Sequence, residues 1–423
     1  MDEGDVRHIL EAVDSDEIVG FAQDLMRMPS FVGAESGVAR WLVAWMAERC
    51  LEAELQEVEP GRFNAIGRLR GSGGGKSLML NGHMDIDPLA KDWKRDPWTP
   101  VVEGNRLFGA GISNMKAGLA AILGAVSAIV RSGVQLPGDL LVAGVVGELQ
   151  GGVGTKYLVE HGPRPDMAIV TEPYGATNIV TVHTGWAQAA VHVLGNSRHI
   201  SEKRFAIDAI QNASKAIEAL DKIAFTVTPR PDLPAVPAFL VGNIIGGLGR
   251  DYNLRGANYV ADFVTMICDI RFNHSQTLES VEADIRRTLD AVRADDPAFE
   301  YELEIPPPAK YQVCYEYHRP YELPKGAYIL DATLRAYRRV TGKDPDVAGG
   351  AILPEAPSAS AASTSYAADD TSHLMHAGIP CLLFGPGGYY DRPNSDMYTI
   401  IPEMETVAKV LGVVAADVCG GQS

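Results

Sequence analysis

The sequence predicts an α/β domain interrupted by an inserted α+β domain, and three observations support this. Helical and strand patterns alternate in the first part of the chain, which favours a mostly parallel central sheet flanked by helices. The pattern changes to long strands and two helices between residues 186 and 304, and the alternation resumes after that. We therefore expect a discontinuous first domain (1–185 and 305–423) with 186–304 inserted as a lid.

The elements of the first domain follow from hydrophobic periodicity. Apolar residues at helical spacing predict helices over residues 16–29 and 36–50. Short apolar runs predict buried strands, and a longer run rich in small residues predicts a helix packed on the sheet. These strands are Leu78–Leu80, Leu140–Val146 and Met167–Val170, and the helix is Met115–Ser132. We expect Asn81 and Gly82 to end the first strand as a turn.

The same criteria predict the elements of the lid and of the final segment. In the lid they are the strand Gln188–Leu194, the helix Ala206–Ile223, the strands Phe239–Ile245 and Tyr259–Arg271, and the helix Leu278–Val292. In the final segment they are the helix Tyr328–Tyr337 and the strand Cys381–Phe384. Residues 349–368 are small and polar, which is typical of a loop that is mobile or lines a site.

Composition indicates a soluble cytoplasmic protein. Hydrophobic residues make up 46% of the chain and charged residues 22%, which is ordinary for a globular protein. The net charge of −17 disfavours nucleic acid or an anionic membrane as a partner. No apolar run reaches the roughly 18 residues of a membrane span. The five cysteines form no CxxC pair, so we expect them to be reduced and mostly structural.

Five segments carry residue types that suit metal chemistry. The first ends a predicted strand with His83 and Asp85, where an imidazole can bind a metal and a carboxylate can orient its ring. The other four are Arg106–Gly118 with Asn114, Gly147–Thr155 with Glu148 and Leu149, Thr171–Pro173 with Glu172, and Gly378–Gly387 with a Gly-Pro-Gly turn.

In this order the five segments resemble the dizinc family of aminoacylases, acetylornithine deacetylases, succinyl-diaminopimelate desuccinylases and glutamate carboxypeptidases. The resemblance implies an α/β catalytic domain with an inserted lid that forms homodimers or higher homo-oligomers. It implies that His83 binds metal, Asp85 orients it, Glu148 is the general base and Glu172 is a metal ligand. It also implies that His199, in the lid, stabilises the oxyanion in the partner subunit's active site.

Departures from the family pattern predict one metal rather than two. Asn114 stands where the family has a bridging aspartate, and Leu149 stands where it has a carboxylate ligand. Residues 385–400 contain no histidine, and Asp391 or Arg392 falls where the family has its late histidine ligand. We expect His83, Glu172 and the side-chain carbonyl of Asn114 to hold one labile divalent Mn, Fe, Co or Zn ion.

Each of these residues also has a simpler interpretation. Asn114 could cap the following helix, because asparagine is a favoured cap. His83 could be a structural histidine, Glu148 a surface acid, Glu172 part of a plain turn, Asp391 a turn residue and His199 a surface residue of the lid. Arg271 could bind a substrate carboxylate or pair within the lid, and Tyr389 could flank an aromatic substrate or belong to the core.

The single-metal site suggests a reaction that needs little stabilisation of an oxyanion. Within the family, the chain resembles an aminohydrolase that replaces an aromatic amine with hydroxyl, and 5-nitroanthranilate is the expected substrate. Glu148 would then activate water at the metal, and the nitro group would accept the developing charge. Two alternatives remain. One is an amidohydrolase or peptidase acting on N-acyl amino acids or small peptides, and the other is a catalytically inactive binding homologue.

Overall fold

A computed structural model describes residues 3–254, 257–311, 316–349, 368–391 and 394–421, and it separates into two compact units. One unit comprises Met1–His183 and Tyr321–Ser423, and the other comprises Thr184–Pro320. Residues 305–320, assigned to the first domain from sequence, therefore group with the lid. The reason is a reciprocal backbone pairing in which Trp186 and His318 exchange N–H···O bonds of 2.9 Å.

Helices and strands occur close to the predicted positions. The helices are α1 (Glu3–Glu11), α2 (Ser15–Met26), α3 (Ser36–Glu48), α4 (Ala117–Ser132), α5 (Val153–His161), α6 (Ala209–Asp221), α7 (Leu278–Asp295), α8 (Tyr328–Thr341), α9 (Thr371–His376) and α10 (Ile401–Gly420). The strands are β1 (Glu52–Glu59), β2 (Arg62–Leu69), β3 (Leu78–His83), β4 (Val101–Glu103), β5 (Arg106–Phe108), β6 (Leu140–Val145), β7 (Met167–Val170), β8 (Asn178–His183), β9 (Gly185–Leu194), β10 (Ala238–Gly247), β11 (Phe263–Phe272), β12 (Glu300–Glu304), β13 (Tyr321–Glu322), β14 (Asp346–Gly349), β15 (Cys381–Leu383), β16 (Gly388–Tyr390) and β17 (Met397–Ile400).

The sheet of the first unit has a parallel centre, as the sequence predicts. Its strand order is β1-β2-β6-β3-β7-β15-β8-β13, and the pairs β6-β3, β3-β7 and β7-β15 are parallel. The expected turn at Asn81 and Gly82 is wrong, because β3 continues to His83 and pairs it with Val145 of β6. Glycine suits this position in the strand, because a Cβ at residue 82 would lie 2.8 Å from Leu119 Cδ2.

Helix α4 lies in the core of this unit. The segment Ile112–Ser132 is long and apolar enough to cross a membrane, but 94% of its most apolar stretch is buried inside the fold. Gly118 lets the helix approach the end of β7 closely, since a Cβ there would lie 2.1 Å from the Thr171 carbonyl oxygen. The segment is therefore a core helix that packs against the strand end preceding Glu172.

The lid unit contains a four-stranded antiparallel sheet with helices α6 and α7. Its strand order is β10-β11-β9-β12, and its apolar core includes Val191, Met266 and Leu289. Strand β10 is an edge of this sheet, and it carries the exposed side chains Leu240 and Ile244. This α+β unit matches the inserted domain that the sequence predicts.

Lys116 is a buried amine that ties α4 to the end of α2. Its Nζ donates to the carbonyl oxygens of Leu25 at 2.9 Å and Met28 at 2.8 Å. Burial lowers the pKa of Lys116 to about 7. A neutral amine has two N–H donors, which matches the two carbonyls.

We expect Lys116→Met to lower the free energy of unfolding by about 1–3 kcal/mol at pH 9, because two buried carbonyls lose their donor. The folded pKa lies below the unfolded one, so the unfolded chain binds more protons between about pH 7 and 10.5. Wild-type stability should therefore rise with pH in this window relative to the variant. Urea unfolding at pH 7 and pH 9 measures the difference, and parallel pH dependences for the two proteins would contradict it.

Candidate metal centre

The site residues lie at the carboxyl ends of three neighbouring strands. His83 is the last residue of β3, Glu148 follows β6, and Glu172 follows β7. Because β6, β3 and β7 are adjacent and parallel, their carboxyl ends meet at one edge of the sheet. Asn114 reaches the same place from the turn before α4. All three of the strand-end residues are buried.

The His83 ring presents one nitrogen to a carbonyl and the other to a group of oxygens. Nδ1 lies 2.9 Å from the backbone oxygen of Asp85, so this nitrogen carries the hydrogen and donates it. Nε2 lies 3.2 Å from Asn114 Oδ1. It also lies 3.6 Å from Glu172 Oε1 and 3.9 Å from Glu148 Oε2. A lone pair and three acceptor oxygens therefore face one point.

This arrangement fits a divalent metal. Two ligand atoms that each lie about 2.1 Å from a tetrahedral ion are roughly 3.4 Å apart, close to the separations of Nε2 from Asn114 and Glu172. Glu172 Oε1 is buried and has no hydrogen-bond partner among the described residues, so it is free to bind an ion. In the described part of the chain, no three His, Cys, Asp or Glu side chains form a metal cluster. The third donor at this point is thus the amide of Asn114.

Asp85 connects His83, the predicted metal ligand, to Glu148, the predicted general base. Its Oδ1 accepts from the backbone N–H of Glu148 at 3.1 Å, and its Oδ2 accepts from that of Leu149 at 3.0 Å. Its Oδ1 also lies 3.5 Å from His83 Nδ1. Burial opposes ionisation of Asp85, but His83 and the two N–H groups outweigh it and lower its pKa. Asp85 therefore stays charged and fixes the turn that carries Glu148.

The charges at this point are unbalanced in the absence of a cation. Burial raises the pKa of Glu172 to about 8, and burial raises that of Glu148 well above 4.5. Burial opposes protonation of His83, but the charges of Glu172 and Asp85 outweigh it and raise its pKa well above 6.5. Groups that hold protons so strongly form a site that favours a positive ion.

The positions at which the family binds the second of its two metals provide no ligand in the part of this chain that the structure describes. The side chain of Leu149 has no donor atom, and the residue contributes only its backbone N–H, to Asp85. Asp391 Oδ2 accepts a hydrogen bond from Arg95 Nη1 at 3.1 Å, as part of a surface ion-pair group. Asn114 does not cap α4, because the helix begins at Ala117 and no side chain caps it.

Asn114→Asp gives a direct test of contact with the metal. A carboxylate at this position would add a negative charge beside His83 Nε2, so we expect the affinity for Mn²⁺ or Zn²⁺ to rise by about tenfold or more. Titration of the metal-free protein measures it. Asn105→Asp, a surface change in the loop before β5, is the control. An unchanged or lower affinity in the Asn114 variant would show that this side chain does not touch the ion.

The structure places two predicted site residues, His199 and Arg271, in the lid. His199 is half-buried, and its Nδ1 accepts from the Ser201 backbone N–H at 3.3 Å. Arg271 donates to both carboxylate oxygens of Asp269, at 2.7 and 3.1 Å. The Arg271 guanidinium also lies 5.0 Å from the Trp186 ring centroid. Their roles in oxyanion stabilisation and in substrate binding stay predictions.

Tyr389 lies in the first unit, on the short strand β16. Its hydroxyl donates to Glu403 Oε1 at 2.7 Å, and its ring stacks on Tyr398. The hydroxyl is thus used within the fold, and contact with an aromatic substrate stays a prediction. Most of the loop 349–368, and Arg392, lie outside the described residues.

Two acidic residues that the sequence analysis overlooked are buried near the site. Asp369 and Asp370 precede α9 and are 2% and 1% exposed. The charge of Asp370 acts on both Glu148 and Glu172, and that of Asp369 acts on Glu172. The available signal was an acidic pair next to the short apolar helix that leads into Gly378–Pro380.

Comparison with known proteins agrees with this geometry. The chain is 24% identical over 401 residues to an N-formyl-4-amino-5-aminomethyl-2-methylpyrimidine deformylase of Bacillus subtilis (strain 168), covering 89% of this chain and 87% of that protein. It is 29% identical over 381 residues to an acetylornithine deacetylase of Salmonella arizonae, covering 88% of each protein. Both relatives span most of the chain, lid included.

Solved structures show the same fold. A dipeptidase of Saccharomyces cerevisiae superposes with a TM-score of 0.75 at 12% identity, covering 99% of each chain. A tripeptidase of Staphylococcus aureus superposes with a TM-score of 0.74 at 18% identity, covering 97% of this chain and 100% of that one. The sequence profile of one family matches residues 79–417, which include every residue of the metal centre. The chain therefore belongs to Peptidase family M20/M25/M40 and is a metal-dependent hydrolase.

Proposed function

We propose that the chain hydrolyses the amide bond of a small N-acyl amine. The observation that supports this most strongly is the position of Glu148, whose Oε2 lies 3.9 Å from His83 Nε2 on a turn held by Asp85. A carboxylate in this position could act as a base on water beside the metal. A binding protein without activity has no need for such a base, so the inactive homologue is the weaker alternative.

The residues divide the work of amide hydrolysis. His83, Glu172 and Asn114 would hold one divalent ion, which polarises a carbonyl and makes water more acidic. Glu148 accepts a proton from the attacking water at its carboxylate oxygen and returns it to the nitrogen of the leaving amine. The carbon–nitrogen bond then breaks, and the products are a carboxylic acid and an amine. Asp85 keeps Glu148 in position throughout.

A short acyl group is the substrate feature that the relatives support. One relative is named for removing a formyl group and another for removing an acetyl group, and both match nearly 90% of this chain. We therefore expect formyl or acetyl amides of small amines to be better substrates than peptides. Action in the cytoplasm fits the free Cys50, Cys268, Cys381 and Cys419.

Hydrolysis of an activated aromatic amine is the second candidate. It is favoured by one observation, that Leu149 and Asp391 give the second family metal no ligand in this structure. A single ion offers less stabilisation to a tetrahedral oxyanion. A nitroaryl substrate such as 5-nitroanthranilate can take that charge into its own ring.

One substrate panel separates these candidates. The metal-loaded protein is incubated with N-formyl and N-acetyl amines, with dipeptides and with 5-nitroanthranilate. Formate or acetate release supports the amide proposal, whereas ammonia release from nitroanthranilate, lost when the nitro group is removed, supports the second candidate. Metal binding without turnover of any compound would favour the inactive homologue.

We also propose that the lid forms a homodimer through strand β10. This edge strand exposes Leu240 and Ile244, which are 62% and 55% exposed, and an unpaired apolar edge readily pairs with a second copy. Ile244→Lys should therefore convert the protein to a monomer in sedimentation velocity experiments. Val102→Lys, at an exposed apolar position of the other unit, should leave the mass unchanged. A dimer that persists in the Ile244 variant would reject this interface.

A further inference from the structure

Five buried acids lie around His83, and most of their charge has a visible partner. Asp85 accepts two backbone N–H groups and faces the His83 ring. Asp369 Oδ1 accepts from the Thr371 N–H at 2.9 Å and from the Thr371 hydroxyl at 2.6 Å. Glu148 and Glu172 face His83 Nε2. The fifth acid, Asp370, is different.

Asp370 is 1% exposed, and neither of its carboxylate oxygens has a hydrogen-bond partner within 3.5 Å among the described residues, although the Thr155 hydroxyl is near enough to lower its pKa. It occupies the N-cap position of α9 but does not cap that helix. Its Oδ1 lies beside the turn after Glu148, since a Cβ on Gly152 would be 2.6 Å from it. A carboxylate so deeply buried and unpaired requires a compensating charge.

The compensating charge is to be found at the metal position. Asp370 interacts electrostatically with His83, and its charge acts on Glu148 and on Glu172. Burial also raises the pKa of Asp370 to about 7, with the Thr155 hydroxyl acting in the opposite direction. The adjacent Asp369 differs, because its Oδ1 is used by Thr371 and its Oδ2 accepts from the Tyr174 hydroxyl at 3.5 Å.

We propose that Asp370 is a further acidic residue of the metal centre and that its carboxylate strengthens binding of the divalent ion. The ligand set of His83, Glu172 and Asn114 supplies only one negative charge, which neutralises half of a divalent cation. Asp370 supplies a second charge. From its position before α9, it thereby replaces the charge that Leu149 and Asn114 do not provide. This inference rests on the metal centre of the proposed function, but not on the substrate.

The test uses Mn²⁺ and Zn²⁺ alone, titrated into the metal-free protein. Partners around a metal site typically contribute 10–100-fold to affinity, so Asp370→Asn should weaken binding by about that factor. Asp370→Glu, which keeps the charge, should recover part of the loss. Asp24→Asn, a change to an exposed acid of α2 that pairs with Arg27, is the control and should bind metal within about threefold of wild type. Wild-type affinity in Asp370→Asn would overturn the proposal.

Thermal unfolding provides a second readout, because the two roles of Asp370 predict opposite changes in the stability of the metal-free Asp370→Asn variant. Removing an uncompensated buried charge should leave the metal-free protein as stable as wild type or more stable, and the rise in Tm on adding metal should shrink. A purely structural role for Asp370 predicts the opposite. The metal-free Asp370→Asn variant would then be less stable than wild type or would not fold, and each of these two results would overturn the proposal. If the wild-type protein itself binds no metal, the metal centre fails as a whole. If the wild-type protein and the Asp370→Asn variant bind metal equally well, only this inference fails.

Discussion

Glu148→Gln should lower kcat by about 10²–10⁴-fold on any substrate that the panel identifies, because a positioned general base contributes about that much. Glutamine keeps the size of the side chain and its hydrogen-bonding capacity, but it cannot accept the proton of the attacking water. The backbone N–H of residue 148 still donates to Asp85, so the turn should be retained. Metal binding should survive, with some loss of affinity because one negative charge beside His83 Nε2 is removed, and titration with Mn²⁺ checks this.

The matched control for this variant is Asp391→Asn. Its carboxylate pairs with Arg95, whose guanidinium also binds Asp396, so loss of one surface ion pair should leave kcat within about twofold. Near-normal turnover in Glu148→Gln would instead reassign the base. Asp391 becomes the next candidate only if its own variant loses activity.

The arrangement of elements could be predicted from sequence because local patterns determine it. The apolar run at Met167–Val170 is β7 at the same residues, and the small apolar residues before Ser132 form α4. The predicted end of β3 is wrong, because Asn81-Gly82 is typical of a turn but continues the strand here. The neighbouring strands β6 and β7 override that preference, because they pair with β3 on both sides.

The metal centre could be predicted only in part, because its residues come from distant parts of the chain. His83, Glu148 and Glu172 each come shortly after an apolar run, and this position together with the family resemblance predicts them as site residues. Asp370 follows no predicted strand, and nothing in the sequence near it indicates that its charge acts on Glu148 and Glu172. Lysine is usually found at the surface, yet the amine of Lys116 reaches backbone carbonyls 91 and 88 residues away. Such proximity depends on how α2 and α4 pack.

Saturation with Mn²⁺ followed by desalting should leave no more than one metal ion per chain. In the described part of the molecule, the atoms proposed to hold the ion are His83 Nε2, Glu172 Oε1 and Asn114 Oδ1, and the side chain of Leu149 supplies no ligand for a second ion. His83→Ala and Glu172→Gln should each abolish retention, because each removes one of the two strong donors. Inductively coupled plasma mass spectrometry on the desalted protein gives the count.

His161→Ala is the control for the histidine variant, since its Nδ1 lies 3.2 Å from the carbonyl of Tyr157 on the exposed side of α5. It should retain metal as wild type does. Two tightly held ions per chain would refute the single-ion centre, and the buried carboxylates of Asp370 and Glu148 would then be candidates for holding the second ion. In that case an amide substrate gains the second electrophile that a single ion lacks, and the argument for an activated aromatic amine loses its physical basis.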